Sequence, residues 1–148
     1  MKNMKPRALA LVIAIFALVS ATLAEDIVLD ANIATVEDVS ALPHMDDVLA
    51  GVVVSNRPYV NIRELNDLLS ADLDNDQLDE VYGRLFVAIN LNDAKRSDIL
   101  LIPGVGDRMA HEFEEYRPYS SMEQFRREIG KYVDAQEVAR LEQYVTLD

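Results

Sequence analysis

One short segment in the second half of the chain has the composition of an anion-binding turn. Ile102-Pro103-Gly104-Val105-Gly106 places two glycines around one apolar residue, directly after a proline. This spacing predicts a tight turn between two helices, because glycine adopts backbone angles that other residues resist. The apolar side chain is then driven inward, while amides at the start of the next helix face a phosphate oxygen. We therefore predict phosphate contacts from Gly104, Val105 and Gly106, and name residues 103–106 the Pro103 turn.

Basic residues follow this turn and could add to the same site. Arg108 comes two positions after Gly106, and Arg126, Arg127 and Lys131 form a cluster further along. We predict these four side chains as additional phosphate contacts, because nonspecific affinity for DNA comes almost wholly from basic groups. The alternative is that they are solvated helix residues, which the neighbouring acids favour: Asp107, Glu112, Glu114 and Glu115.

The elements that position the turn belong to an internal repeat of 60 residues. Sliding the chain against itself by 60 positions aligns it without a gap from Ile27 to the end, with 10 identities over 62 pairs. The longest identity places Arg57-Pro58-Tyr59 on Arg117-Pro118-Tyr119, and apolar positions also match apolar positions. An ungapped register of this kind indicates a tandem duplication. We name residues 25–86 the first repeat and residues 87–148 the second repeat.

Helix signals divide each repeat into four short helices. In the first repeat, capping pairs predict helices that begin after Thr35, Asn61 and Asp74. A further helix is expected from about Asp46 to Asn56, with Val48, Leu49, Val52 and Val53 on one apolar face. Ser121 and Asp134 cap the matching helices of the second repeat, and the fourth helices are expected to carry Leu78, Val81 and Leu85, or Val138, Leu141 and Val145. Because no segment alternates long enough to indicate a strand, the predicted fold is all-α: two tandem four-helix units, each a pair of helix-hairpin-helix motifs.

The second repeat resembles a known family. Asn92-Asp93-Ala94, Ile99, the Pro103 turn, Ala110, Arg117 and Tyr119 together resemble the helix-hairpin-helix domain of ComEA-like competence proteins. That resemblance covers essentially all of the chain after its leader, and implies an exported receptor that binds double-stranded DNA without reading its sequence. The fold is also similar to that of the extrinsic photosystem II protein PsbU, which implies binding to protein instead.

The first repeat departs from this family pattern. His44-Met45-Asp46, followed by Asp47, stands where the second repeat has glycine, apolar residue and glycine. Carboxylates at a helix N-terminus satisfy its free amides and repel phosphate, so we expect this hairpin to be structural only. The first repeat holds 3 basic and 14 acidic residues, whereas the second holds 8 and 12. Any face that meets a polyanion is therefore expected in the second repeat.

The first 24 residues have the pattern of a secretory signal peptide. Lys2, Lys5 and Arg7 precede a largely apolar stretch from Ala8 to Ala24, and acidic residues follow at once. We expect a mature chain that begins at Glu25 or Thr22 and is periplasmic or extracellular; the alternative is an uncleaved membrane anchor, the only expected membrane contact. Without the leader, 11 basic and 26 acidic residues give a net charge of −15, which repels nucleic acid at long range. The chain has no cysteine, so it can form no disulfide and carry no lipid on a thiol.

Other patterns in the sequence do not favour an enzymatic or metal-binding function. Asp72, Asp74 and Asp76 alternate as at the start of a calcium loop, but the glycine and glutamate that such a loop needs are missing, which favours a helix cap with solvated acids. His44 and His111 fit no metal spacing, and Tyr59 and Tyr119 are expected to fill the core. We predict no catalytic residue, no cofactor, no metal and no small-molecule substrate. Two functions stay open: nonspecific binding of double-stranded DNA through residues 103–111 of the second repeat, and a protein-binding structural adaptor without a nucleic-acid role.

Overall fold

A computed structural model describes residues 27–148, and the predicted signal peptide of residues 1–24 lies outside the described residues. Within this range the chain is mostly helical and also contains short strands. The elements, in chain order, are β1 (Leu29–Asp30), α1 (Val36–Ser40), α2 (Asp47–Ser55), α3 (Ile62–Leu69), α4 (Asn75–Tyr82), β2 (Leu85–Phe86), β3 (Ile89–Asn90), α5 (Arg96–Ile99), α6 (Asp107–Glu115), α7 (Met122–Ile129), α8 (Ala135–Glu142) and β4 (Val145–Thr146). The expectation of a chain without strands is therefore wrong.

The elements of the two repeats follow the 60-residue register of the sequence. Each helix and strand of the first repeat begins 60 positions before its counterpart, and the ends differ only by one residue, between α1 and α5. The helix boundaries expected from the sequence repeat are thus confirmed. The capping residues are confirmed as well: the side chains of Thr35, Asn61, Asp74, Ser121 and Asp134 each accept a hydrogen bond from a backbone amide three residues later.

The strands close each repeat on itself. Strand β1 pairs with β2 in parallel, with Leu29 opposite Leu85, and β3 pairs with β4 in the same way, with Ile89 opposite Val145. Leu85 and Val145 therefore lie in strands, and the prediction that places them on the fourth helices is wrong, because those helices end at Tyr82 and Glu142. Each strand pair holds the start of a repeat against its end.

A polar cluster built on the Arg-Pro-Tyr sequence ties the loops of each repeat together. In the second repeat the Arg117 side chain donates hydrogen bonds to the carbonyl oxygens of Leu91 (2.6 Å) and Ala94 (2.8 Å). Asn92 accepts from the amide of Tyr119 (2.7 Å) and donates to its carbonyl (3.0 Å). Arg57, Asn32 and Tyr59 make the equivalent bonds in the first repeat. These arginines act inside the fold, and the expectation that Tyr59 and Tyr119 fill the core is confirmed, because both are buried.

The two repeats meet through aromatic residues of a continuous apolar core. Phe86, at the end of the first repeat, packs edge-to-face against Tyr144 of the second, with ring centroids 4.9 Å apart. It also packs against Tyr82 at 5.7 Å. The buried Tyr144 hydroxyl donates to the carbonyl oxygen of Tyr82 at 3.0 Å, so the junction is both apolar and hydrogen-bonded. At its edge, Arg63 of the first repeat forms an ion pair with Asp98 of the second.

Helix α2 turns part of its expected apolar face to solvent. Ala50 and Val53 are buried, whereas Val48 is 76% exposed and Val52 is 37% exposed. The expected grouping of Val48 and Val52 with the packed residues is therefore wrong. The reason is that the core covers the side of α2 that carries Ala50 and Val53, and a helical pattern alone does not say which side a neighbour covers.

A glycine in the middle of α2 offers a first test of this arrangement. Changing Gly51 to alanine is expected to raise the free energy of unfolding by about 1 kcal/mol, because glycine is poor in a helix interior. A β-carbon at this position would meet no atom within 4 Å. Urea denaturation followed by circular dichroism measures the change. A Gly51→Ala protein that is less stable than the wild type would contradict an open face at this position.

Candidate functional site

The Pro103 turn has the geometry that its sequence predicts. Ile102 and Val105 are buried, which confirms that the apolar residue between the glycines points inward. Gly104 has a φ of +77°, in the left-handed region that strongly favours glycine. Gly106 differs: its φ is −98° and a β-carbon there would meet nothing within 4 Å. The backbone angle therefore favours glycine at position 104 and not at position 106.

Helix α6 begins directly after this turn without a side-chain cap. Gly106 is its N-cap residue and supplies no side-chain hydrogen bond to the first turn. The amides at the start of α6 are thus open to an acceptor from outside, at the positive end of the helix dipole. Asp107 in the first helical turn opposes an anion, although Arg96 lies beside it and donates to its carbonyl oxygen at 2.7 Å.

Arg108 is the basic residue that the structure leaves available at the turn. It is exposed, and it makes no ion pair or side-chain hydrogen bond within residues 27–148. With Gly106, Met109, Glu112 and Tyr132 it lines a shallow cleft of about 260 Å³. Hydrogen bonds to Tyr116 and Glu112 raise the pKa of Tyr132 above its ordinary value. The cleft combines one free cation, one neutral phenol and one carboxylate.

The other predicted phosphate contacts are held in ion pairs. Arg126 on α7 donates to the carboxylate of Glu142 on α8, with Nε 2.8 Å from Oε2, and this pairing lowers the pKa of Glu142. Arg127 and Lys131 both form ion pairs with the carboxylate of Glu128, a residue that is only 8% exposed. Lys131 also lies over the Tyr116 ring, 4.8 Å from its centroid. A phosphate at these cations has to compete with a carboxylate already in place.

Arg140 supports the Pro103 turn and was missed in the sequence. Its guanidinium donates to the carbonyl oxygen of Pro103 at 2.8 Å and is held by Glu137. A β-carbon on Gly104 would lie 3.3 Å from the same guanidinium, which is a second reason for glycine there. At the equivalent place in the first repeat, His44 Nε2 lies 2.9 Å from Glu80 Oε2. The 60-residue register aligns Glu80 with Arg140 and His44 with Gly104. Comparison of the two repeats could therefore have indicated that each pair is in contact.

The first repeat keeps the shape of the turn but fills its anion site. His44 has a φ of 61°, in the same left-handed region as Gly104. Met45 is buried, as Val105 is in the second repeat. Asp46 caps α2 and accepts a hydrogen bond from the amide of Leu49 at 2.8 Å. The prediction that a carboxylate satisfies these amides is confirmed for Asp46. In this hairpin a carboxylate of the chain itself therefore caps the helix, whereas α6 has no side-chain cap.

Two further observations concern the range 27–148 as a whole. No helix described there is long and apolar enough to cross a membrane. Within the same residues, no group of three or more His, Asp or Glu side chains could hold a metal ion. Comparison of the chain with protein-family models, curated proteins and solved structures finds no match.

Proposed function

We propose that this is an exported, non-enzymatic binding protein that contacts double-stranded DNA through the Pro103 turn, without reading its sequence. In this proposal the chain consists of two tandem units, 25–86 and 87–148, each a pair of helix-hairpin-helix motifs, as in the ComEA-like proteins that the sequence resembles. The observation that carries it is the uncapped start of α6 beside Arg108, an exposed cation with no partner in the described residues.

Each residue of the proposed site has a distinct role. The amides of Gly104, Gly106 and the first residues of α6 receive a phosphate oxygen, and Arg108 supplies the charge that draws it in. Val105 contributes only its place in the turn, because its amide already donates to the carbonyl oxygen of Ile102 at 3.0 Å. Arg126, Arg127 and Lys131 are secondary contacts, because each must first exchange a carboxylate for a phosphate. Since these groups touch phosphate and not base edges, binding is independent of sequence.

A salt titration of duplex binding tests the proposal. The affinity of the purified protein for a mixed-sequence duplex is expected to fall steeply with salt, and replacing Arg108 with glutamate should weaken it at least about tenfold at low salt. The variant should also reduce the slope of log affinity against log salt by about 1, because one counterion fewer is released. Fluorescence anisotropy with a labelled duplex measures both quantities.

Lys95→Glu is the control for this experiment. It makes the same change of charge at an exposed residue at the start of α5, at the opposite end of that helix from the turn. Its effect is expected to be several-fold smaller than that of Arg108→Glu. Absence of duplex binding at low salt, or an Arg108→Glu protein that binds like the wild type, refutes the DNA proposal.

A second candidate function is a protein-binding adaptor, in the periplasm or in an extrinsic complex, in which the hairpins act as scaffold. The observation that favours it is the neutralisation of Arg126, Arg127 and Lys131 by glutamates in a strongly acidic protein. Such a surface attracts cationic partners over long range. The duplex titration separates the two candidates.

A further inference from the structure

The first repeat exposes apolar side chains where the second repeat carries charged ones. Val36 is 40% exposed on α1, and Val48 and Val52 are exposed one turn apart on α2. The residues 60 positions later are Arg96, Arg108 and Glu112. We name the surface formed by Val36, Val48, Gly51 and Val52 the valine face.

The fold does not require this apolar surface. Helices α2 and α6 have the same length and place in the two repeats, and α6 carries Arg108 and Glu112 at the positions of Val48 and Val52. Valine is also a weaker helix former than arginine or glutamate. Stability of α2 therefore gives no reason for exposed valines, and an exposed apolar patch is typical of a binding surface.

The hairpin geometry places these residues on one accessible side. In the second repeat, Arg96 reaches the carbonyl of Asp107 (2.7 Å) and the carboxylate of Glu114 (2.7 Å). Val36 has the equivalent backbone position on α1 in the first repeat. On α2, Val48, Gly51 and Val52 lie on one side, since residues three and four apart share a side. A β-carbon on Gly51 would meet nothing within 4 Å, so the face has a shallow depression at its centre.

The charge around the valine face indicates its occupant. Four exposed carboxylates lie on the same hairpin, those of Glu37, Asp38, Asp46 and Asp47. No lysine or arginine occurs between Ile27 and Asn56. A partner that covers the valines must therefore bring apolar side chains at the centre and positive charge at the rim.

We propose that the valine face is a docking site for a basic amphipathic segment of a partner protein. This inference deepens the second candidate function by giving protein binding a place and a partner chemistry, and it does not depend on the DNA contact at the Pro103 turn. Apolar side chains of the segment cover Val48 and Val52, and its cations meet the four carboxylates. An amphipathic helix with spacing i, i+3, i+4 and i+7 satisfies both conditions.

The test uses a synthetic 18-residue amphipathic peptide of leucine and lysine as the probe. Val48→Arg with Val52→Glu copies the second repeat, keeps the net charge and removes the apolar centre, so it should weaken peptide binding at least about tenfold. Gly51→His, which also copies the second repeat, should weaken binding by filling the depression. Val60→Ser is the control: Val60 is 81% exposed, lies outside α1 and α2, and has Ser120 as its counterpart. Isothermal titration calorimetry measures all four proteins.

The outcomes decide the proposal without reference to the DNA titration. The proposal is supported if the double variant and Gly51→His both weaken peptide binding while Val60→Ser leaves it unchanged. A version of the peptide with glutamate in place of lysine should not bind. If the wild type and the double variant bind the peptide equally, the valine face is not the docking site and any protein binding lies elsewhere on the chain. If the wild type does not bind the peptide, the docking site is also refuted. Self-association in sedimentation that the double variant abolishes assigns the face to a second copy of the chain. If the wild type floats with vesicles of phosphatidylcholine and phosphatidylglycerol and the double variant does not, the valine face binds lipid. Self-association or lipid binding through this face overturns the proposal.

Discussion

Replacing Phe86 with alanine is expected to lower the free energy of unfolding by about 3–5 kcal/mol. Phe86 is 2% exposed and packs edge-to-face against Tyr82 and Tyr144, with interplanar angles of 84° and 81°. Its removal leaves a cavity at the junction of the repeats. Neither the Tyr82 ring nor the Tyr144 ring can move in to fill this cavity without losing its hydrogen bond or its packing contacts. Urea denaturation followed by circular dichroism at 222 nm measures the loss.

The repeat itself supplies the control for this prediction. Thr146 occupies the position 60 residues after Phe86, on strand β4, and is partly exposed. Thr146→Ala should change stability by no more than about 0.5 kcal/mol, because it removes little packing. A loss below about 1 kcal/mol in Phe86→Ala would contradict a core shared by the two repeats.

The helices were predictable because their signals are local. Thr35 and Asp38, or Asp74 and Gln77, form their capping boxes within one helical turn, so sequence spacing contains the whole interaction. The strands were not predictable, because each consists of two residues and its partner lies far along the chain, as Leu85 does for Leu29. No alternation can develop over two residues, and pairing depends on how the helices between them pack.

The backbone of the turn at the candidate site could be predicted from the sequence, but the ion pairs of its charged residues could not. A positive φ at Gly104 and a buried Val105 follow from residue types. The partner of Arg126 does not, because Glu142 lies 16 residues away and reaches it only when α7 and α8 pack together. Arg117 illustrates the same point: the family resemblance marked it, but only the structure shows that it bonds to two carbonyl groups inside the fold.

That use of Arg117 leads to a second large effect on stability. Replacing Arg117 with methionine is expected to lower the free energy of unfolding by about 2–4 kcal/mol, because hydrogen bonds from a charged donor contribute about 1.5–3 kcal/mol each and are not additive. The change leaves the carbonyl oxygens of Leu91 and Ala94 without their donor, in partly buried positions. Thermal and urea denaturation of the purified variant measure it.

Two further variants separate the geometry of Arg117 from its charge. Arg117→Lys should recover little of the loss, because an ammonium group does not present the planar fork that reaches both carbonyls. Arg108→Met makes the same exchange at an exposed arginine without a partner among residues 27–148, and should change stability by no more than about 0.5 kcal/mol. If Arg117→Met were as stable as Arg108→Met, the two bonds would contribute nothing to the fold. If Arg117→Lys were as stable as the wild type, the positive charge and not the fork would hold the loop between β3 and α5.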